Sequence, residues 1–189
     1  MLLRLVSSST RRMAMLSERF PEVEQHGLSG VDETPPRGTV DHQVTVICKR
    51  KAAAIERPED GTVVLVADTM IADPDDMSVS MGQPNDIAQA ASMLIRLQGR
   101  HHQVWTATGV FSMGKWMFWC ESATVSFPDF TPEVLDELLH SGSWKGKAGA
   151  YDLHGAMGEY ARLVDGEACV VLGLAHGALE AIEVLNTVL

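Results

Sequence analysis

Apolar and polar positions along the chain alternate between two periods, and each stretch predicts an element. Leu2 to Val6 reads as a buried strand. Ser7-Ser8-Ser9-Thr10 follows as a turn that caps a helix beginning near Arg11, whose apolar face is Met13, Leu16 and Phe20. A polar, proline-containing stretch runs from Ser29 to Gly38. Val40, Val44, Ile47, Cys48 and Ile55 then recur at helical spacing, predicting a helix from about Asp41 to Ile55, and Pro58-Glu59-Asp60-Gly61 predicts a turn.

Val63 to Ala67 is a continuous, largely β-branched run, the pattern of a strand covered on both faces, and it is expected to end at Asp68-Thr69. Asp73-Pro74-Asp75-Asp76 reads as a solvated acidic turn. Asn85 is expected to cap a helix that reaches Gln98 and stops at Gly99. His102–Phe111 and Trp116–Phe127 predict an antiparallel hairpin about Ser112-Met113-Gly114-Lys115. Thr131-Pro132-Glu133 starts a helix that ends at Gly142. Short strands are expected near Tyr160–Val164 and Ala168–Leu172, with a closing helix from about Gly177. The alternation predicts a single α/β domain with a mixed sheet over residues 1–189.

Composition adds limits. The 189 residues suit one domain with a sizeable core, and 46% apolar against 21% charged residues is the balance of a globular protein. No apolar run approaches the roughly 20 residues of a membrane span. The N-terminal run, broken by Arg4, is expected to be a strand rather than a secretory signal. Cys48, Cys120 and Cys169 lack metal-ligand spacing, which predicts reduced thiols and a cytoplasmic location. A net charge of −10 disfavours long nucleic acid as a partner but permits a phosphorylated small molecule in a locally basic cleft.

Three constellations supply such a cleft. In Ser7-Ser8-Ser9-Thr10-Arg11-Arg12, two arginines enter the first turn of a helix, where the dipole is already positive. A bound phosphate would relieve that conflict through backbone N–H groups and two-pronged arginine contacts; the alternative is a solvated surface pair. Asp68 at a strand's end can hold a divalent ion or act as general base, or simply cap the next loop, and Glu33 is a possible second carboxylate. Lys51, Lys145 and Lys147 add positive charge, the last two within a glycine-rich loop. His101 and His102 would point to opposite faces of a strand and make a poor metal pair, so His102 is expected to be structural or to support the site from behind.

Taken in order, these segments resemble the Maf family, relatives of the inosine triphosphate pyrophosphatases. The family's Ser-x-Ser-Pro-Arg-Arg is similar to Ser7–Arg12, with threonine for proline, its Lys-Ala to Lys51-Ala52, and its Ala-Asp-Thr to Ala67-Asp68-Thr69. Its Gly-Lys-Pro resembles Gly82-Gln83-Pro84, and its Gly-x-x-His-x-Val-x-Thr resembles Gly99, His102, Val104 and Thr106. Its Lys-Ala-Gly-x-Tyr-x-Ile-Gln-Gly resembles Lys147 to Gly155, and its Gly-Leu-Pro resembles Gly173-Leu174-Ala175.

The resemblance implies an elongated mixed sheet flanked by helices, two lobes about a central cleft, and a homodimer. It implies hydrolysis of a pyrimidine or modified nucleoside triphosphate to monophosphate and pyrophosphate, with Mg²⁺, Mn²⁺ or Co²⁺ as cofactor. Asp68, Lys51 and Arg12 would be catalytic, and Glu33 and Asp68 would bind the metal. Ser7, Ser9, Arg11, Arg12, Lys51, Gln83, Lys147, Tyr151 and His154 would contact the substrate. Two positions depart from the family. Gln83 replaces a phosphate-contacting lysine and is expected to weaken binding, since a charged hydrogen bond contributes about 1.5–3 kcal/mol and a neutral one about 0.5–1.5. His154 replaces a glutamine; titrating near neutrality, it is expected to restore part of that charge and make KM rise from about pH 6 to 8. The alternatives are a nucleotide-binding regulator linked to septum formation that has lost turnover, and an interaction domain without a ligand.

Overall fold

The computed structural model describes residues 1–56 and 61–188. Its elements run β1 (Leu2–Val6), α1 (Thr10–Ser17), β2 (Val23–His26), α2 (Val40–Ala53), β3 (Thr62–Asp73), β4 (Asp76–Met81) and α3 (Ile87–Leu97), then β5 (His101–Ser112), β6 (Lys115–Ser126), α4 (Pro132–His140), β7 (Arg162–Asp165), α5 (Ala168–Leu172) and α6 (His176–Val188). Among the described residues the seven strands form one mixed sheet in the order β2-β1-β3-β5-β6-β7, with β4 also on β3. β1 is parallel to β2 and β3; the other pairings are antiparallel. No described helix is long and apolar enough to cross a membrane.

β3 is the strand that organises the molecule. Its alternate side chains feed two cores, as a pleated strand requires. Val64, Val66, Met70 and Ala72 pack with Val40, Val44, Ile47 and Cys48 of α2. Val63, Leu65, Ala67 and Ile71 pack on the opposite face with Leu16, Leu94, Leu97, Leu179 and Ile182 from three helices. Both faces are therefore dry, which is why this stretch lacks polar alternation.

Several expectations are corrected. β3 does not stop at Asp68; it spans 12 residues, and Asp68 lies in mid-strand. The apolar run resumes at Met70, and β5 pairs with β3 as far as Ile71. The opposite edge of β3 changes partner instead. β1 pairs with it through Leu65, β4 takes over from Ile71, and no described strand pairs with Val66–Met70 on that edge. Ala168–Leu172 is a helix rather than a strand, ended by Gly173 at φ 109°; a five-residue apolar run fits either period. β2 escapes the pattern because Val23 is its one apolar residue, and β4 because only Met81 of its alternating apolar residues is buried. Asp86, not Asn85, caps α3. The expected turn at Pro58–Gly61 falls mostly outside the described residues.

The Asp73–Asp76 segment is a hairpin turn, and it is not simply solvated. Arg96 grips Asp73 with two donors at 2.8 and 2.7 Å, which holds its carboxyl near 2. Arg100 joins through Asp75. The β5–β6 hairpin is as expected, its turn made by Met113 and Gly114 at φ 49° and 80°, the mirror-image geometry that suits a two-residue connection.

His102 is buried on β5, its Nε2 3.0 Å from the Tyr151 hydroxyl and its ring edge-on to Phe127. Burial pushes its pKa down to about 3. The unfolded chain thus binds a proton below about pH 6.5 that the folded protein refuses until about pH 3, so stability falls as pH falls through that window. Urea midpoints taken from pH 7 to 4.5 should drop for the wild type and drop less for His102→Gln, which keeps a partner for Tyr151; equal slopes would remove His102 from the account.

Candidate functional site

A cleft of about 950 Å³ opens where the edge of β3 lacks a strand partner. Its walls are the β1–α1 turn, the loop carrying Glu33, Lys51 of α2, the middle of β3, the β4–α3 loop with Gln83, and the loop containing Gly146 and Ala148. The volume lies within the range of small-molecule sites.

Strand alternation sends Asp68 and Thr69 to opposite faces. Asp68 meets α2, where Lys51 Nζ donates to its Oδ1 at 2.8 Å and lies 2.9 Å from Glu33 Oε2. Lys51 therefore points inward, contrary to the default for a helical lysine, with its side chain only 13% exposed. The neighbouring Arg50 fastens the Glu33 loop by donating to the carbonyls of Asp32 and Thr34 at 3.2 and 2.7 Å. Asp68 is 7% exposed and its Oδ2 has no hydrogen-bond partner. Burial raises its pKa above the ordinary carboxylate value, while Lys51 and Arg12 pull it back.

Thr69 meets Arg12, whose guanidinium is built into the protein. Nε donates to the Gly173 carbonyl at 2.8 Å, Nη1 to Ser7 Oγ and the Ala67 carbonyl at 3.1 Å each, and Nη2 to Thr69 Oγ1 at 2.9 Å. Arg12 thus replaces the missing strand partner of Ala67. Thr106 Oγ1 donates to the Val170 carbonyl at 2.7 Å, so at the 2.9 Å Thr69–Thr106 contact the Thr69 hydroxyl is the donor. The polar chain Arg12–Thr69–Thr106–Val170 ties the cleft floor to α5. A Cβ at Gly173 would stand 2.8 Å from Arg12 Nε, so the backbone can accept this bond only because residue 173 is glycine. Burial lowers the Arg12 pKa, with Asp68 opposing the fall.

The arginine conflict at the start of α1 is thus resolved partly within the chain. Ser9 caps the helix, its Oγ accepting from the Arg12 N–H at 3.4 Å, and Ser7 Oγ accepts from the Ser9 N–H at 3.2 Å. Arg12 spends four donors on protein oxygens, whereas the Arg11 side chain has no hydrogen bond among the described residues and only an ion pair with Asp152 at 3.6 Å. The structure brings together Ser7, Ser9, Arg11, Arg12, Glu33, Lys51, Asp68 and Gln83. It does not bring Tyr151 or His154 to the cleft. Tyr151 is 3% exposed against His102 and Phe127, where its bulk anchors the preceding loop from behind. His154 is exposed, with its backbone N–H on Asp152. Lys147 lies between two lining residues and pairs with Asp152 at 3.6 Å. Thr69, Thr106, Gly173 and Asp152 are the contributors that residue-by-residue reading passes over; the first three stand at defined positions of the ordered motifs and Asp152 at a variable one.

The model of the family described as Maf-like protein matches residues 2–185. The chain belongs to the Maf family. Among Maf relatives, a dTTP/UTP pyrophosphatase of Pelotomaculum thermopropionicum is 34% identical, the alignment covering 90% of this chain and 88% of that one. One of Shouchella clausii is 32% identical over 90% and 87%, and one of Pyrococcus horikoshii 28% over 92% and 91%. The Staphylococcus aureus Ham1 protein structure aligns with 85% of this chain and 91% of its own at 12% identity and a TM-score of 0.48.

Proposed function

We propose that the cleft binds a nucleoside triphosphate, dTTP and UTP foremost, and hydrolyses it to the monophosphate and pyrophosphate with the help of a divalent cation. The observation that carries this reading is Asp68: a buried carboxylate in the cleft, one oxygen held by Lys51 and the other without a partner. The names of the Maf relatives supply the substrate class.

The donor set fits a hard cation. Among the described residues no three His, Cys, Asp or Glu converge into a cage, but Asp68 and Glu33 share Lys51, and Mg²⁺ is commonly held by one or two carboxylates together with substrate phosphates. Charge supports the same conclusion. Arg11, Arg12, Lys51 and Lys147 face Glu33, Asp68 and Asp152, an excess too small to balance a triphosphate alone. When bound, the ion supplies neutralising charge at the phosphoryl oxygens.

The chain's own groups do the rest. Arg11 and the backbone N–H groups of Ser8, Thr10 and Arg11 hold the phosphoryl oxygens, and Arg12 keeps that turn in register with β3. Asp68 Oδ2 orients a water and takes its proton as the water oxygen bonds to the α-phosphorus. Raised basicity suits it to that task. The bond from the α-phosphorus to the bridging oxygen breaks, and pyrophosphate leaves with that electron pair. Lys51 keeps Asp68 and Glu33 apart from mutual repulsion.

Pyrophosphate release measured over a panel of nucleoside triphosphates should be highest with dTTP and UTP and should need Mg²⁺ or Mn²⁺. A nucleotide-dependent rise in melting temperature without release would instead mark a nucleotide-binding regulator, and no rise at all an interaction domain.

A further inference from the structure

Arg11 and Lys147 reach the same carboxylate from different parts of the chain. Arg11 comes from the first turn of α1, and Lys147 from the loop before Tyr151; their terminal nitrogens lie 3.6 Å from Asp152 Oδ1 and Oδ2 respectively. All three side chains are sheltered, at 19%, 20% and 14% exposure, so the charges act on one another through less water than at an open surface. The carboxylate does not depend on the cations for its position. The His154 N–H donates to Asp152 Oδ1 at 3.1 Å, and the Gly155 N–H to the Asp152 carbonyl at 3.0 Å. The ion pairs are longer than the 2.7–2.9 Å of a charge-assisted hydrogen bond, leaving both cations able to exchange partner.

We propose that Asp152 sets the affinity of the cleft for polyphosphate, holding Arg11 and Lys147 in the free protein and surrendering them to a bound phosphoryl group. The inference rests on the polyphosphate reading of the cleft and extends it to a specificity-determining residue. A phosphoryl oxygen that takes these cations must offset the lost ion pairs and the repulsion of the carboxylate left behind. That repulsion weakens the hold on substrate and on the departing pyrophosphate alike.

The test is calorimetric binding of inorganic tripolyphosphate to the full chain, with KM for UTP measured beside it. Asp152→Asn removes the charge and keeps an oxygen for the His154 N–H. Its tripolyphosphate Kd should fall about three- to tenfold, with a steeper dependence on salt, and KM should fall with it. Asp152→Glu should stay within about twofold of wild type. If Asp152→Asn melts well below wild type, Asp152→Ser, which also accepts the turn hydrogen bond, takes its place. An unchanged or weaker tripolyphosphate affinity in a folded neutral variant overturns the proposal, even where the wild type hydrolyses UTP. Tighter binding without hydrolysis by any form supports it and overturns the reaction. A wild type that binds no tripolyphosphate at millimolar concentration overturns both.

Discussion

Asp68→Asn should release pyrophosphate at least ~10³-fold more slowly than wild type while melting no lower. The first half follows from the chemistry. The amide cannot take a proton from water and is a poor ligand for a hard cation, yet its shape preserves the contact with Lys51. The second half follows from the sign of the pKa shift. Burial raises the Asp68 pKa, so between the ordinary carboxylate value and the raised one the folded protein binds a proton that the unfolded chain has released. Stability therefore falls as pH rises through that window, and above it the cost of the buried charge is fully present. A neutral amide removes that cost, which Lys51 only partly offsets. Full activity in the variant would remove Asp68 from the reaction, and a collapse in melting temperature would show that its charge is structural.

The adjacent arginines should behave as different residues. Arg12→Ala strands the carbonyls of Gly173 and Ala67 and deprives buried Asp68 of a nearby cation. Loss of one partner from such a buried network costs about 3–5 kcal/mol, or roughly 6–20 °C of melting temperature at this chain length. Arg11→Ala breaks one partly screened ion pair, so stability should change by less than about 1 kcal/mol. Its KM for a nucleoside triphosphate should nevertheless rise about tenfold, the loss of one charged hydrogen bond. Thermal melts and steady-state kinetics on the two variants decide the matter. A stable Arg12→Ala with a raised KM would make Arg12 a phosphate ligand and refute the division of labour.

Much of this was legible in the residues, and the failures have physical causes. The β5–β6 hairpin could be read to within a residue because its apolar runs are long and its turn contains Gly114. β1, α1, α2, α4 and α6 were likewise legible, α1 and α4 together with their caps. α5 reads as a strand because Cys169–Leu172 are all buried, which erases the period. β2 and β4 were missed because they expose most of their side chains.

At the site, the ordered motifs pointed to Asp68, Lys51 and the Ser7–Arg12 turn, the family resemblance added Glu33, and these residues do converge. The sequence could not tell which arginine faces inward, since that depends on the Gly173 carbonyl arriving from far along the chain. Nor could it tell that Asp152 would sit on Arg11 and Lys147, or that Tyr151 would turn away from the cleft toward His102. Contacts between distant segments are set by packing, and local pattern carries no trace of them.

The central claim is attack by water on the α-phosphorus in this cleft. Hydrolysis of UTP in ¹⁸O-enriched water with Mg²⁺, followed by mass spectrometry of the products, tests it most directly. The account predicts one ¹⁸O in the monophosphate and none in the pyrophosphate. Label in pyrophosphate, or release of labelled orthophosphate in its place, would contradict it.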